Sequence, residues 1–258
     1  MEKAQGESRG GARSLRGRRA LVIGGTGGIG RALSLELGAG GAHVIAHGGS
    51  SRERLDSTLA ALERSGSSAE GFLLELEGGP GSVALLIDRL PSLGSIDILA
   101  LSFGPFLRKS LARTSAAEWE RLALLDLALP GALSSALLPG MLDRGWGRIL
   151  LLGGSRTDGI RAYSSNAAYA AAKTGLAVLA KSLAAEGAGR NVACVLVCPG
   201  LVDTEYLDEA ERAGLRRRAP GGRLAMPEEL ARAAIGLLAA DPCLASGAVV
   251  SLDGGLAF

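Results

Sequence analysis

The chain has 258 residues, enough to bury a large core, and its 47% hydrophobic and 21% charged residues give an ordinary globular balance. A formal net charge of +2, aromatics at only 3% and the lack of a basic stripe argue against a nucleic-acid partner. No uninterrupted apolar run reaches the roughly 18 residues of a membrane span, and the N-terminus lacks the apolar stretch of a secretory signal.

Residues 1–17 are rich in Gly, Ser and Arg and read as a flexible N-terminal arm ahead of one domain over 18–258. Short apolar runs then alternate with amphipathic stretches. The runs predict strands over 20–23, 43–47, 71–74, 96–101, 148–152, 192–197 and 249–251. Helical periodicity predicts helices over 29–37, 52–64, 83–90, 119–141, 166–186 and 227–239. Strands that are almost wholly apolar and separated by helices imply a parallel sheet covered on both faces. The expected fold is one doubly wound, Rossmann-type α/β domain of about seven strands.

The first strand runs into Gly24-Gly25-Thr26-Gly27-Gly28-Ile29-Gly30, where the first helix begins. A tight turn, close approach to a pyrophosphate and close helix–sheet packing each exclude a Cβ, and the helix N-terminus offers N–H groups to the anion. After the second strand comes His47-Gly48-Gly49-Ser50-Ser51-Arg52, with no carboxylate to pair with ribose hydroxyls or repel a 2′-phosphate. NADP(H) is therefore expected over NAD(H), with Ser50, Ser51 and Arg52 as the available donors.

Both histidines, His43 and His47, fall on the second strand at the nucleotide side, which argues against a Ser-His-Asp triad or a histidine metal site. The three cysteines, Cys194, Cys198 and Cys243, lack metal-ligand spacing and read as buried thiols in a reducing, cytoplasmic compartment. No metal is expected. Tyr169 and Lys173 are spaced i,i+4 and share one helix face, so an ammonium stands near a phenol and favours tyrosinate. With four lysines against 24 arginines, a lysine at that spacing from one of three tyrosines is a pointed choice.

These pieces resemble the short-chain dehydrogenase/reductase family over essentially everything from Arg18 to the C-terminus. Further motifs carry the resemblance: Ile96-Asp97-Ile98-Leu99 leading to Gly104, Trp119, Gly147-Arg148-Ile149, and Tyr169-Ala170-Ala171-Ala172-Lys173. Pro199-Gly200-Leu201-Val202-Asp203-Thr204 and the closing Leu252-Asp253-Gly254-Gly255 complete them. The chain is most similar to the 3-oxoacyl-[acyl-carrier-protein] reductase-like members. The resemblance implies that Tyr169 is the general acid/base and that Lys173 holds the nicotinamide ribose. It implies a serine that orients the substrate oxygen, and Pro199, Gly200, Val202 and Thr204 around the carboxamide. The dinucleotide would lie against Gly24, Thr26, Gly27, Gly28, Ile29, Gly30 and Gly104. Residues 205–222 would form a substrate lid, and the assembly would be a homotetramer or homodimer.

Three departures stand out. The family's Asn-Asn-Ala-Gly reads Leu101-Ser102-Phe103-Gly104 here, and the relay asparagine appears as Asp126, whose carboxylate is expected to keep the relay. At the usual serine position stands Gly154, so Ser155 is the expected substitute, with Thr157 and Ser164 as weaker ones. Arg216, Arg217, Arg218 and Arg223 at the end of the lid could steer an acidic acyl carrier protein. The leading expectation is NADPH-dependent reduction of a small carbonyl or acyl-thioester substrate. The alternatives are an alcohol, sugar or steroid dehydrogenase, or a dinucleotide-binding protein with impaired catalysis.

Overall fold

The structure is a computed structural model that describes residues 15–76 and 79–256. Seven parallel strands form one sheet: β1 (Arg19–Ile23), β2 (His43–Gly48), β3 (Ala69–Leu73), β4 (Ile98–Leu101), β5 (Gly147–Leu152), β6 (Val192–Pro199) and β7 (Val249–Leu252). Their order is β3-β2-β1-β4-β5-β6-β7, so the winding reverses between β1 and β4. The helices are α1 (Gly28–Ala39), α2 (Arg52–Arg64), α3 (Pro80–Arg89), α4 (Ala116–Ala123), α5 (Leu129–Arg144), α6 (Ala167–Gly187), α7 (Glu209–Arg216) and α8 (Pro227–Leu238). The doubly wound parallel sheet matches the expectation from sequence.

The alternation of side chains along each strand builds two cores. Leu21 and Ile23 of β1, Leu99 and Leu101 of β4, and Cys194, Leu196 and Cys198 of β6 face one side, against Leu86 of α3, Leu133 of α5 and Leu176 of α6. Ala20, Val22, Ile98, Ala100, Val195 and Val197 face the other, against Leu33 and Leu37 of α1, Leu62 of α2 and Leu230 and Ile235 of α8. Each fully buried leucine contributes about 1.5–3 kcal/mol of transfer free energy, which fixes the register of strands and helices together.

Two elements depart from the predicted ones. The helix expected over 119–141 is α4 and α5 joined by a π-helical turn, Leu124–Ala128, in one continuous stretch from Ala116 to Arg144. The most apolar 18 residues of that stretch have a mean hydropathy of 1.6, and by length and composition alone it could cross a membrane. Here it lies on the sheet through Leu125, Leu129, Leu133 and Met141. Within the expected lid, Asp208 and Glu211 form a capping box that starts α7.

The arm expected over 1–17 lies outside the described residues up to 14. From Leu15 onward the chain is packed: Leu15 is buried in the core and its N–H donates to the Gly40 carbonyl at 2.7 Å. At the start of β5, Arg148 is fully buried. Its guanidinium donates to the carbonyls of Gly147, Asn191 and Ala240 at 2.7–2.9 Å.

Candidate active site

The reversal of winding between β1 and β4 opens a crevice at the strands' C-terminal ends, the place where doubly wound sheets bind ligands. Gly24 turns the chain there with φ +77°, and a Cβ on it would stand 2.5 Å from the Ser102 carbonyl. A Cβ on Gly30 would collide with the Gly24 carbonyl, so α1 packs against this turn at glycine distance. The turn is fastened from β2: Gly25 N–H donates to the His47 carbonyl at 2.8 Å, and Gly24 N–H to His47 Nδ1 at 3.1 Å. His47 Nε2 faces the Leu74 carbonyl at 2.9 Å, so the ring proton sits on Nε2 and the imidazole is neutral. Burial holds its pKa below the usual histidine range. His47 is thus a strut of the glycine turn and supplies no base.

A cradle that leaves no room for a Cβ, opening a helix, fits a pyrophosphate. Beside it, Thr26, Arg31, Ser51, Glu53, Arg54, Ser57 and Glu205 line a polar pocket. The cations at this pocket are Arg31 and Arg54, which corrects the expectation for Arg52. Arg52 is exposed and points along α2 to Asp56, 3.9 Å away. Ser51 caps α2 by accepting from Arg54 N–H, and Ser50 is exposed. Ile29 is half-buried at the first turn of α1, in contact with the α8-side core.

At the opposite end, α6 presents Tyr169 and Lys173 on successive turns. Lys173 is 6% exposed, and its Nζ lies 3.0 Å from Asp126 Oδ1 and donates to the Leu152 carbonyl at 3.1 Å. The π-helical turn aims the fully buried Asp126 at this lysine, and such turns recur at functional sites. Gly104, at φ +151°, lies so close that a Cβ would collide with Asp126 Oδ1 and stand 3.2 Å from Lys173 Nζ. Burial raises the Asp126 pKa, and the adjacent Lys173 ammonium opposes that rise.

The Lys173 ammonium stands 5.9 Å from the centre of the Tyr169 ring. Burial raises the phenol's pKa, and the Asp126 charge raises it further. The spacing alone suggested the opposite direction, because it could show neither the burial of the phenol nor the carboxylate beside the lysine. The phenol is a proton donor across the neutral range. Phe106, missed from the sequence, stacks edge-on against Tyr169 with centroids 5.0 Å apart and remains 63% exposed at the rim.

The residue against the phenol is Gly154. A Cβ there would stand 2.7 Å from both Oη and Cε1 of Tyr169. Ser155, the expected orienting hydroxyl, is half-buried in the turn that follows. Thr157 turns inward: its hydroxyl accepts from Gly154 N–H at 2.8 Å and donates to the Gly154 carbonyl at 3.0 Å. Ser164 is exposed. The place of the serine is therefore taken by a glycine with the tyrosine drawn close to it.

Beyond β6, Gly200 N–H pairs with the Leu252 carbonyl at 3.0 Å, and a Cβ on Gly200 would meet the Asp253 backbone at 2.6 Å. Pro199 ends β6, and Val202 bridges to Ala225. Thr204 then reaches the N-terminus of α1, where its methyl would lie 3.6 Å from a Cβ on Gly28. The lid's arginines are partly spoken for: Arg216 lies 3.7 Å from Asp203 and Arg223 lies 2.7 Å from Glu229.

Comparison with known proteins places the chain in a family. Residues 18–214 match the family model described as short chain dehydrogenase. A 3-oxoacyl-[acyl-carrier-protein] reductase of Pseudomonas aeruginosa is 35% identical over 249 residues, 94% of this chain and 98% of that protein. A 2-dehydro-3-deoxy-D-gluconate 5-dehydrogenase of Formosa agariphila is 30% identical over 248 residues, 94% of this chain and 93% of that protein. The crystal structure of a 3-oxoacyl (acyl-carrier-protein) reductase from Agrobacterium tumefaciens C58 with NADP bound superposes with a TM-score of 0.84. It is 30% identical and covers 95% of this chain and 96% of its own. With its glycine turn at the switch point and Tyr169 and Lys173 on one helix face, the chain belongs to the short-chain dehydrogenase family of oxidoreductases.

Proposed function

We propose that the protein uses NADPH to reduce the ketone of a 3-oxoacyl thioester to a secondary alcohol, with Tyr169 donating the proton. The observation that carries this reading is the half-buried Tyr169 phenol beside the Lys173–Asp126 pair, in the crevice that begins at the Gly24–Gly30 turn. The relative from Pseudomonas aeruginosa and the NADP-bound neighbour from Agrobacterium tumefaciens support the same chemistry.

The residues that would hold the dinucleotide follow from the site. The glycine turn and the first N–H groups of α1 take the pyrophosphate. Arg31 and Arg54, with Ser51, take the 2′-phosphate; their guanidinium geometry favours NADP(H) over NAD(H), although Glu53 and Glu205 line the same pocket. Pro199, Gly200, Val202 and Thr204 border the nicotinamide end, and Lys173 holds its ribose. When bound, the cofactor supplies the hydride. Tyr169 hydrogen-bonds the substrate carbonyl and gives up its phenolic proton as charge develops on that oxygen. Gly154 offers no second hydroxyl, so the phenol alone positions the oxygen from this side. Lys173 and Asp126 hold the buried charge balanced behind it.

An acyl carrier protein remains a candidate partner, although Arg216 and Arg223 already face carboxylates of their own chain. A homodimer or homotetramer built on α4–α5 and α6 fits the 70% exposed Val178 on α6. The three buried, unpaired cysteines suit a reducing, cytoplasmic setting.

The test follows NADPH absorbance with purified protein and an acetoacetyl thioester, with Tyr169→Phe alongside. Substrate-dependent consumption that disappears in the variant is expected. If NADPH binds but no thioester is reduced, a sugar-acid or alcohol substrate becomes the reading, as the Formosa relative's name suggests. A second reading, a dinucleotide-binding protein with impaired catalysis, is favoured by Gly154 and by the Asp126 charge on Lys173. It takes over if a broad panel of carbonyl and alcohol substrates gives no turnover while binding persists.

A further inference from the structure

The segment after Thr204 reaches back to the mouth of α1. Glu205 lays its carboxylate on the Gly28 N–H, with oxygens at 2.9 and 3.2 Å. Gly28 is the first residue of α1, so this carboxylate sits where a helix N-terminus receives an anion. Its neighbour Tyr206 lies over the glycine turn: a Cβ on Gly27 would collide with the phenolic oxygen, and one on Gly28 would stand 3.1 Å from its ring. The same phenolic oxygen accepts from Arg54 at 3.0 Å, and the Arg54 guanidinium lies 5.1 Å from the ring centre. Two adjacent residues thus cover both phosphate-binding features of the cleft.

We propose that Glu205 and Tyr206 form an internal competitor for the cofactor. The carboxylate stands in for the pyrophosphate on α1, and the phenol holds the arginine that would take the 2′-phosphate. This inference rests on the dinucleotide-site part of the reading above and is independent of which substrate is reduced. The segment is built to act as a unit. Arg212 of α7 pairs with Asp203 at 2.7 Å and with Glu209 at 3.0 Å, and the Asp208–Glu211 capping box fixes the start of α7. The Arg212–Asp203 pair thus ties α7 back to the start of the stretch, where Asp203 N–H donates to the Ala225 carbonyl at 2.8 Å, and the latch contacts with Gly28 and Arg54 lie between.

A site populated in its open form only part of the time binds its ligand more weakly by that fraction. Releasing the latch should therefore tighten binding without any new contact.

The experiment measures equilibrium binding of NADPH and of inorganic pyrophosphate to the full chain by calorimetry, with no turnover required. Glu205→Gln keeps the side chain's shape but removes the charge, and it should tighten both ligands roughly two- to fivefold. Tyr206→Phe changes no charge and should tighten NADPH by a similar factor. Glu186→Gln removes one negative charge from the exposed far end of α6, away from Gly28 and from the latch, and should leave both affinities unchanged. Amide exchange over 204–208 in the wild-type chain should speed up when pyrophosphate is added.

Weaker or unchanged binding in Glu205→Gln overturns the proposal, as does equal tightening in Glu186→Gln, which would reduce the effect to net charge. No effect of Tyr206→Phe overturns the part assigned to Arg54. Failure of the wild-type chain to bind NADPH at all would overturn the dinucleotide site itself, an outcome separate from a failed latch.

Discussion

Lys173 Nζ sits 3.0 Å from Asp126 Oδ1, and both side chains are buried behind the tyrosine that faces the cleft. An ammonium paired with a carboxylate projects little net charge, so it does not draw a phenol toward ionisation as an isolated lysine would. Burial is the larger cause of the raised phenol pKa, and the Asp126 charge adds to it without touching substrate.

Asp126→Asn should therefore shift the pH dependence. With Asp126 charged, the phenol stays protonated well into the alkaline range, and reduction, which needs the acid form, persists as pH rises. Removing the carboxylate leaves the lysine charge uncompensated and lowers the phenol's pKa. The alkaline limb of kcat/KM for reduction should move down by about one pH unit or more. The onset of the reverse oxidation should move down with it. A profile that superposes on the wild type would remove Asp126 from the account.

Tyr169→Phe should lower kcat by roughly a hundredfold to ten-thousandfold, the usual contribution of a positioned proton donor. The Kd for NADPH should stay within about twofold, because Tyr169 is remote from the phosphate end and its loss removes one proton rather than a charge. A parallel loss of binding would point to a structural role.

Gly154→Ser should not rescue anything. Its Cβ would stand 2.7 Å from the Tyr169 ring and hydroxyl, so the tyrosine or the turn must shift, at about 1–3 kcal/mol of stability. Denaturant melts and turnover should both fall. Ser155→Ala should leave kcat within about twofold, since position 154 rather than 155 faces the phenol. A faster Gly154→Ser enzyme would mean that the ring moves aside easily.

Arg31→Ala should weaken NADPH binding roughly tenfold or more and leave NADH nearly unchanged, because a charge-assisted bond to the 2′-phosphate exists for one dinucleotide only. Arg52→Ala should change neither. Titration of both dinucleotides against both variants reads this directly.

His47 makes stability depend on pH. Its folded pKa is depressed below the ordinary 6.5, so the unfolded chain binds the proton more readily. The contribution is fully present above 6.5 and is lost as pH falls toward the folded value. Denaturant stability should decline across that acidic window, and His47→Gln should flatten the decline at the cost of a lower plateau. An equal slope in the variant would assign the dependence to carboxylates.

The sheet was legible because its five inner strands state their burial twice, once on each face. In β1, Ala20 and Val22 serve one core and Leu21 and Ile23 the other, as a parallel sheet covered on both faces requires. The nucleotide end was legible in its glycines but not in its cations. Arg52 and Arg54 are two residues apart, about 200° around α2, so a one-dimensional reading chose the arginine nearer the strand and missed the one facing the pocket. Gly154 and Ser155 failed in the same way, since adjacent residues in a turn point apart. The π-helical turn at Asp126 has no local signature, and its aim depends on Lys173 across the fold. Helix α7 did have a signal, the Asp208–Glu211 capping box, which was passed over inside a segment expected to move.

The buried guanidinium of Arg148 has a consequence for how the chain is made. On the ribosome, β4 and β5 emerge well before Asn191 and Ala240, whose carbonyls satisfy that cation. Until they arrive, completing the central sheet would bury a charge short of partners, at a cost of several kcal/mol. The nascent domain should therefore stay open to chaperones and proteases through most of synthesis and close late. Truncations that end before residue 240 should fail as a whole rather than leave a smaller folded unit.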